Sequence, residues 1–552
     1  MRSARCILSA WVGRFPAGVL VLAMLLATIP GWLFSSFSLN IFDEPYQILN
    51  ALDWEGSVYS PLSSWLAHWF GVIFNWRYLA FRRLALILHF SGILACALYA
   101  LRISTFKTRI ILFSAASALA MSLFPIYGWD SWTICFVCLS LVACLSLYRN
   151  FSYRKVVLVS VLVGVTSLMR ITNISVIPIS VFIVFLAAKN HNGTLRDYTS
   201  CLPGFFTYPW LVALCSLIVS ILVTLAVICF LYGNPEFFIQ TIKENRIGSH
   251  SFESITLPFF RQFLIVVVLA ALYFLWFRVL RHFYGRSFFL AVVIASGVVM
   301  ILCKCILTPS KGYYVVMQLF CLGGILLAFI YMLRESRKGK QGIVATVMIM
   351  FLLSLVPAIG SNCGYWKVLA WPLVPLIVAF IGRSWNIIMS YFSVVWYATV
   401  IVIACFSITR GTFLDEGLFK LNYRMDEATV FEGMITTKER GSLISTVYSD
   451  IKPYIDKNYR ILPLKEGNNY VWEYLTLSRN TLQRHNFSDW YAFWNQKYID
   501  GVRRKIRQDN RPVLVMYMQF KDPENPSPMY LMLNEEAECV IDRPGYSFWE
   551  RK

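Results

Sequence analysis

For its first 410 residues the chain alternates long apolar runs with short polar breaks, and after that its character changes. Runs of roughly 17–25 apolar residues are each long enough to cross a hydrocarbon core as a helix. Set against the basic breaks, they predict about thirteen spans. These fall near 16–38, 80–101, 110–126, 130–147, 156–170, 172–188, 209–232, 260–280, 287–307, 312–333, 342–358, 367–382 and 387–409. The break at Arg170-Ile171-Thr172-Asn173 is short enough that the two segments around it also fit one broken helix, which would invert every later span. Segment 61–76 is aromatic and amphipathic, a pattern suited to a helix lying in the interface. From about 411 the pattern becomes that of a water-soluble fold. Ser488 to Arg507 predicts a helix with an aromatic side and a basic side, and Arg511 to Phe520 predicts a buried strand. The expected fold class is therefore a polytopic α-helical membrane protein with a small C-terminal extracytoplasmic α/β domain. Residues 1–410 form the membrane part, with long external loops at 39–79 and 233–260, and 411–552 form the soluble part.

Composition supports this division. The chain is 58% hydrophobic with a mean hydropathy of +0.59. Its net charge of +20 does not imply nucleic-acid binding, because the tail from 411 holds 20 basic and 20 acidic residues. The excess lies in short loops between spans, where membrane insertion places it. Arg102/Lys107/Arg109, Arg149/Arg154/Lys155, Lys189/Arg196, Arg278/Arg281/Arg286, Arg334/Arg337/Lys338/Lys340 and Arg383 all fall on one side of the alternating count, the expected cytoplasmic side. The other face collects Asp43, Glu44, Asp53, Glu55, Asp130, Glu236, Glu244 and Glu253. An apolar run from Pro16, after Arg2, Arg5 and Arg14, has no small-x-small cleavage site and is expected to be an uncleaved first span. Cys135-x-x-Cys138 and Cys303-x-Cys305 fall inside expected spans, where cysteine behaves as a small hydrophobe.

Carboxylates beside a membrane are costly to desolvate, so the Asp43-Glu44 pair directly after the first span marks a candidate site. Such a pair can bind a cation, relay protons or serve as a general base. Relays need ionisable groups along a path inside the spans. There the sequence offers mainly His89, Arg170 and Lys304, with no buried carboxylate expected to partner them. That favours surface chemistry over transport.

Asp43-Glu44-Pro45-Tyr46-Gln47, then Ala51, Tyr59-Ser60-Pro61-Leu62 and Trp65-Leu66, resembles the first external loop of GT-C glycosyltransferases. It is most similar to the branch of protein O-mannosyltransferases and lipid A aminoarabinose transferases. The motif covers about 25 residues, and the expected topology also resembles that branch. The resemblance implies sugar transfer from a polyprenyl-phosphate donor to a lipid-linked glycan, polysaccharide or protein acceptor. It would place the enzyme in a cell membrane, such as a bacterial inner membrane, among membrane lipids and with no nucleic-acid partner. Asp43 is then the expected base, with Glu44 orienting it or binding acceptor. Asp130, in Tyr127-Gly128-Trp129-Asp130, is the expected second acid, although a carboxylate there also suits a helix cap.

Substrate-binding candidates are Tyr46 and Tyr59 of the motif and, for the departing phosphate, Arg170, Lys243, Arg246, His250, Lys311 and Lys367. Relatives often carry a basic residue before a Pro-Pro-Leu element, and this chain has Tyr59-Ser60-Pro61-Leu62 instead. No organic cofactor is implied. Metal use stays open, because some relatives need a divalent ion and no clear ligand set stands out here. The alternative readings are a transporter or flippase of lipid-linked glycans, or a polysaccharide polymerase.

Overall fold

The computed structural model describes residues 13–39, 43–57, 60–122, 127–191, 208–236, 238–239, 341–358, 370–381, 418–427, 429–464, 470–477, 496–518 and 526–552. The spans expected near 260–280, 287–307, 312–333 and 387–409 lie outside the described residues.

The membrane part runs α1 (Pro16–Phe34), α2 (Asp43–Leu52), α3 (Pro61–Ile73), α4 (Tyr78–Ile103), α5 (Lys107–Ser122) and α6 (Trp129–Arg149). It continues with α7 (Tyr153–Ser167), α8 (Val176–Asn190), α9 (Pro209–Tyr232), α10 (Gln341–Leu355) and α11 (Ala370–Ile381). Five helical stretches among the described residues are long and apolar enough to cross a membrane: 16–34, 78–103, 131–149, 171–190 and 209–232. Their polarity is inverted relative to a soluble core. On α9, Ile218, Ile221, Leu222, Leu225 and Phe230 are exposed, while Ser216, Ser220 and Thr224 are buried. That arrangement is stable only when lipid covers the outer face and small or hydroxyl residues mediate helix contact.

Hydroxyls join the helices at several levels. Ser160 meets Ser216 at 2.7 Å, Ser140 meets Thr166 at 2.9 Å, and Ser167 meets Thr224 at 3.1 Å. Gly164 brings α7 against α9 so closely that a Cβ there would stand 2.8 Å from the Ser220 carbonyl.

The break at Arg170 is a reversal. After α7 ends, residues 171–175 form a single 3₁₀ turn, and α8 runs back. His191, at the end of α8, bonds the Tyr148 carbonyl at the end of α6 and stacks on Phe151 just before α7. α7 and α8 are therefore antiparallel neighbours, and two separate spans hold. One end of the bundle then gathers the end of α1, the starts of α4, α6 and α8, and the ends of α5, α7 and α9. Arg102, Lys107, Arg109, Arg149, Lys155 and Lys189 cluster at the opposite end.

Segment 61–73 is helical, as its pattern predicts, and leaves Trp69, Val72 and Ile73 exposed beside Phe74. The stretch that carries Asp43 and Glu44, expected as loop, is helical over Asp43–Leu52.

From 418 the chain forms an α/β layer of β1 (Tyr423–Arg424), β2 (Ile435–Thr436), α12 (Lys438–Asp456), β3 (Arg460–Leu464), α13 (Val471–Leu475), α14 (Gln496–Gln508), β4 (Val513–Tyr517), α15 (Pro528–Glu536), β5 (Ala537–Arg543) and β6 (Tyr546–Arg551). The four-stranded sheet has the order β3-β4-β6-β5, with β3 and β4 parallel and the other pairs antiparallel. β4 is buried along its whole length, as a central strand covered on both faces must be. Leu514, Met516 and Phe548 join the core shared with α12, whereas Val513, Val515, Tyr517 and Trp549 join the one shared with α14 and α15. The first of these cores does not stop at the sheet. It continues through Phe431, Tyr470, Val471 and Tyr474 into Ile48 and Leu49 of α2 and Tyr78 and Phe81 of α4.

Candidate active site

The described site is built around Glu44, the second residue of α2, which is 0% exposed. Its Oε1 accepts from the Tyr127 amide at 2.9 Å and from Arg82 Nε at 3.2 Å. Its Oε2 accepts from Arg82 Nη2 at 2.7 Å and from the Tyr78 hydroxyl. An ionised carboxylate has about four lone-pair positions, and four donors reach this one. Arg82, 4% exposed, extends the network by donating from Nη1 to the carbonyls of Ser35 at 3.2 Å and Phe37 at 2.8 Å. One ion pair thus ties together the end of α1, the first turn of α2, the start of α4 and the approach to α6.

This corrects the expectation that no buried carboxylate would face an interior cation. The cation is Arg82, inside the expected span 80–101, and Glu44 comes down to meet it. Arg82, Tyr78 and Tyr127 are the residues that sequence reasoning missed. A signal was present: an arginine on an apolar helix with no acid of its own requires a counter-charge from elsewhere.

Asp43 precedes Glu44 in the first turn of α2, and Asp130 is the second residue of α6, three positions after Tyr127. Glu44's bond to the Tyr127 amide therefore holds both chain segments at one corner of the bundle. Both acids occupy helix first turns, where the aligned peptide dipoles favour negative charge. The structure describes no side chain at 43 or 130.

Tyr46 lies one turn along α2, half-buried, with its ring 4.8 Å from that of Tyr470. Arg170 occupies the α7–α8 reversal at the same end of the bundle, is 8% exposed, and donates to the Pro357 carbonyl at 3.4 Å. α3 packs on that reversal through Leu62 N to Leu168 O at 3.1 Å and Ser63 Oγ to Met169 O at 2.5 Å. The Tyr232 hydroxyl bonds the Ser57 carbonyl at 3.3 Å, which brings the end of α9 to the same face. Tyr59, Lys243, Arg246, His250, Lys311 and Lys367 lie outside the described residues. Among the described residues no group of three or more His, Cys, Asp or Glu side chains could hold a metal.

Burial pushes the hydroxyls of Tyr127 and Tyr474 up, with the negative Glu44 adding to the effect at Tyr474, so both stay protonated. Tyr474 uses its proton to bond the Trp76 carbonyl, and Tyr127 accepts from Trp132 Nε1 at 3.2 Å.

The chain matches no protein-family profile and no curated protein sequence. Among solved structures it matches the crystal structure of ArnT from Cupriavidus metallidurans in the apo state. That match has a TM-score of 0.44 and 12% identity, over 96% of this chain and 97% of that one.

Proposed function

We propose that this chain is an integral membrane glycosyltransferase of GT-C type, acting on the extracytoplasmic face. It transfers a sugar from a polyprenyl-phosphate donor to a lipid-linked glycan, polysaccharide or protein acceptor. Asp43 is the general base: it removes the proton of the acceptor hydroxyl as that oxygen attacks the anomeric carbon. The polyprenyl phosphate departs with the bonding electrons, and Arg170 is the described cation nearest in role to that leaving group.

The observation that carries this reading is the anchoring of Asp43's helix. Glu44 spends its carboxylate on Arg82, Tyr78 and Tyr127, and so fixes the first turn of α2 beside the start of α6. A base held within a few tenths of an ångström of one geometry is what group transfer without a covalent intermediate requires. Glu44 is accordingly a positioning residue, since its lone pairs are committed to the protein. Asp130 is the second acid brought to the corner, and Tyr46 supplies an aromatic wall.

The test is transfer by purified, reconstituted Asp43→Asn protein from a labelled polyprenyl-phosphate sugar. Loss of about 10²-fold or more in turnover, with the fold intact, is expected. Wild-type turnover by the variant removes Asp43 as the base. Wild-type protein that moves the lipid across liposomes without cleaving it overturns the transferase reading in favour of a flippase.

A further inference from the structure

The C-terminal α/β layer is bonded into the corner that carries Asp43. Ser38 N donates to Ile435 O at 2.9 Å and Ile435 N to Ser36 O at 2.7 Å, adding residue 37 to β2 as a parallel bridge. Arg440 Nη1 reaches the Leu39 carbonyl at 3.3 Å, and Tyr78 N donates to Val430 O at 2.9 Å. The segments held in this way are bent ones. Ser38, with φ 71°, and the adjacent Asn75 and Trp76, with φ 51° and 55°, take left-handed backbone conformations that non-glycine residues rarely adopt. Such conformations persist when surrounding contacts over-determine them, and here Ile435 and Tyr474 supply those contacts.

At the centre of this contact is an aromatic triangle. The ring of Tyr78 lies 5.5 Å from Phe431 and 6.0 Å from Tyr474, and those two lie 5.3 Å apart. All three are essentially fully buried. Tyr78 is the tyrosine whose hydroxyl donates to Glu44. A phenol ring packed on two sides by other rings keeps its hydroxyl in one direction, and aromatic pairs at these spacings contribute beyond the area they bury.

We infer that Phe431 and Tyr474 are positioning residues of the active site. By clamping the Tyr78 ring they hold the Tyr78–Glu44–Arg82 network, and with it the first turn of α2 that carries Asp43. The C-terminal layer is then a working part of the transferase and not a tethered accessory. This inference rests on the proposed role of Asp43, but one of its readouts does not.

The experiment uses full-length protein carrying Phe431→Ala, Phe431→Leu, Tyr474→Phe or, as a control, Tyr546→Phe. Tyr546 lies in the same core but bonds Asp450, away from α2. Amide hydrogen exchange over 43–52 and sugar-transfer kinetics are measured on each. Phe431→Ala is expected to lose protection across α2 and about tenfold or more in kcat, with donor KM within about twofold. Leucine at 431 should restore most of both. Tyr546→Phe should lower thermal stability with kcat unchanged. If Phe431→Ala does not fold, Tyr474→Phe carries the test, with the same direction and a smaller loss.

Unchanged α2 protection in a folded clamp variant overturns the inference, whatever the enzyme transfers. Lost protection with wild-type kcat overturns it as well. A wild-type protein that transfers no sugar defeats the functional reading alone, and the exchange data still decide the clamp.

Discussion

Arg82→Met removes the guanidinium at the centre of the corner, and the structure sets the size of the loss. The side chain donates to Glu44 at 2.7 Å and to two carbonyls at 2.8 and 3.2 Å, in a site sealed from solvent. Methionine refills most of the aliphatic volume, so the cavity contribution is small. The stranded Glu44 carboxylate dominates. Removing one partner of a buried ion pair costs about 3–5 kcal/mol, because the other charge stays behind uncompensated. Glu44→Gln should cost a similar amount for the converse reason. The double variant strands neither charge, so it should fall short of the sum by about 2–3 kcal/mol. The exposed pair Arg77–Glu432 has the same 2.7 Å separation, yet Arg77→Ala should cost no more than about 1 kcal/mol. The assay is equilibrium unfolding of the purified variants in mixed micelles, followed by circular dichroism. A loss below about 0.5 kcal/mol for Arg82→Met, or strict additivity in the double variant, would refute the reasoning.

Two other expectations follow from packing and titration. Gly164→Val should destabilise the bundle by about 1–3 kcal/mol, because a Cβ at 164 meets the Ser220 carbonyl and Val223 Cβ, both at 2.8 Å. Thermal unfolding checks this, and an unchanged midpoint would mean that α7 and α9 are not in such close contact. In the C-terminal layer, burial pushes the Asp509 carboxyl up, but hydrogen bonds from the Arg511 amide and the Arg460 guanidinium outweigh it and leave the carboxyl low. Glu536 is held low by its hydrogen bonds from Arg507. A carboxylate depressed in the folded state binds more protons when unfolded, so its contribution is complete above about pH 4 and is lost as pH falls through the folded value. Hydrogen exchange in β4 and α15 should accelerate below about pH 4 in wild type, and less steeply in Asp509→Asn.

The helices were legible in the chain because lipid imposes length and apolarity on every span, and the pattern at 61–73 was enough to place α3. The antiparallel return at Arg170 was not, since a four-residue break carries no direction. It took His191 meeting Tyr148 to fix it. Asp43 and Glu44 looked equivalent as neighbouring acids. What separates them is Arg82, 38 residues further on, and no local pattern encodes that pairing. Asp53 and Glu55 belong to the turn after α2 and Asp130 to the first turn of α6, positions that local spacing does suggest. The soluble tail was recognisable by its balanced charge. Its contact with the first external segment was invisible, because it runs through backbone bonds and aromatic rings whose partners are defined only in three dimensions.

The bond from Arg440 to Leu39 joins residues 401 positions apart, and the Tyr474–Trp76 bond joins residues separated by 398. Contacts at such separations form late, because the closing loop must be ordered before they contribute. The first spans can enter the membrane as they are made, but Ser38, Trp76 and Tyr78 have no partners until the last quarter of the chain has been synthesised and folded against them. A nascent or truncated chain is then inserted but catalytically unfinished. Sugar transfer by this protein would begin only when synthesis is complete.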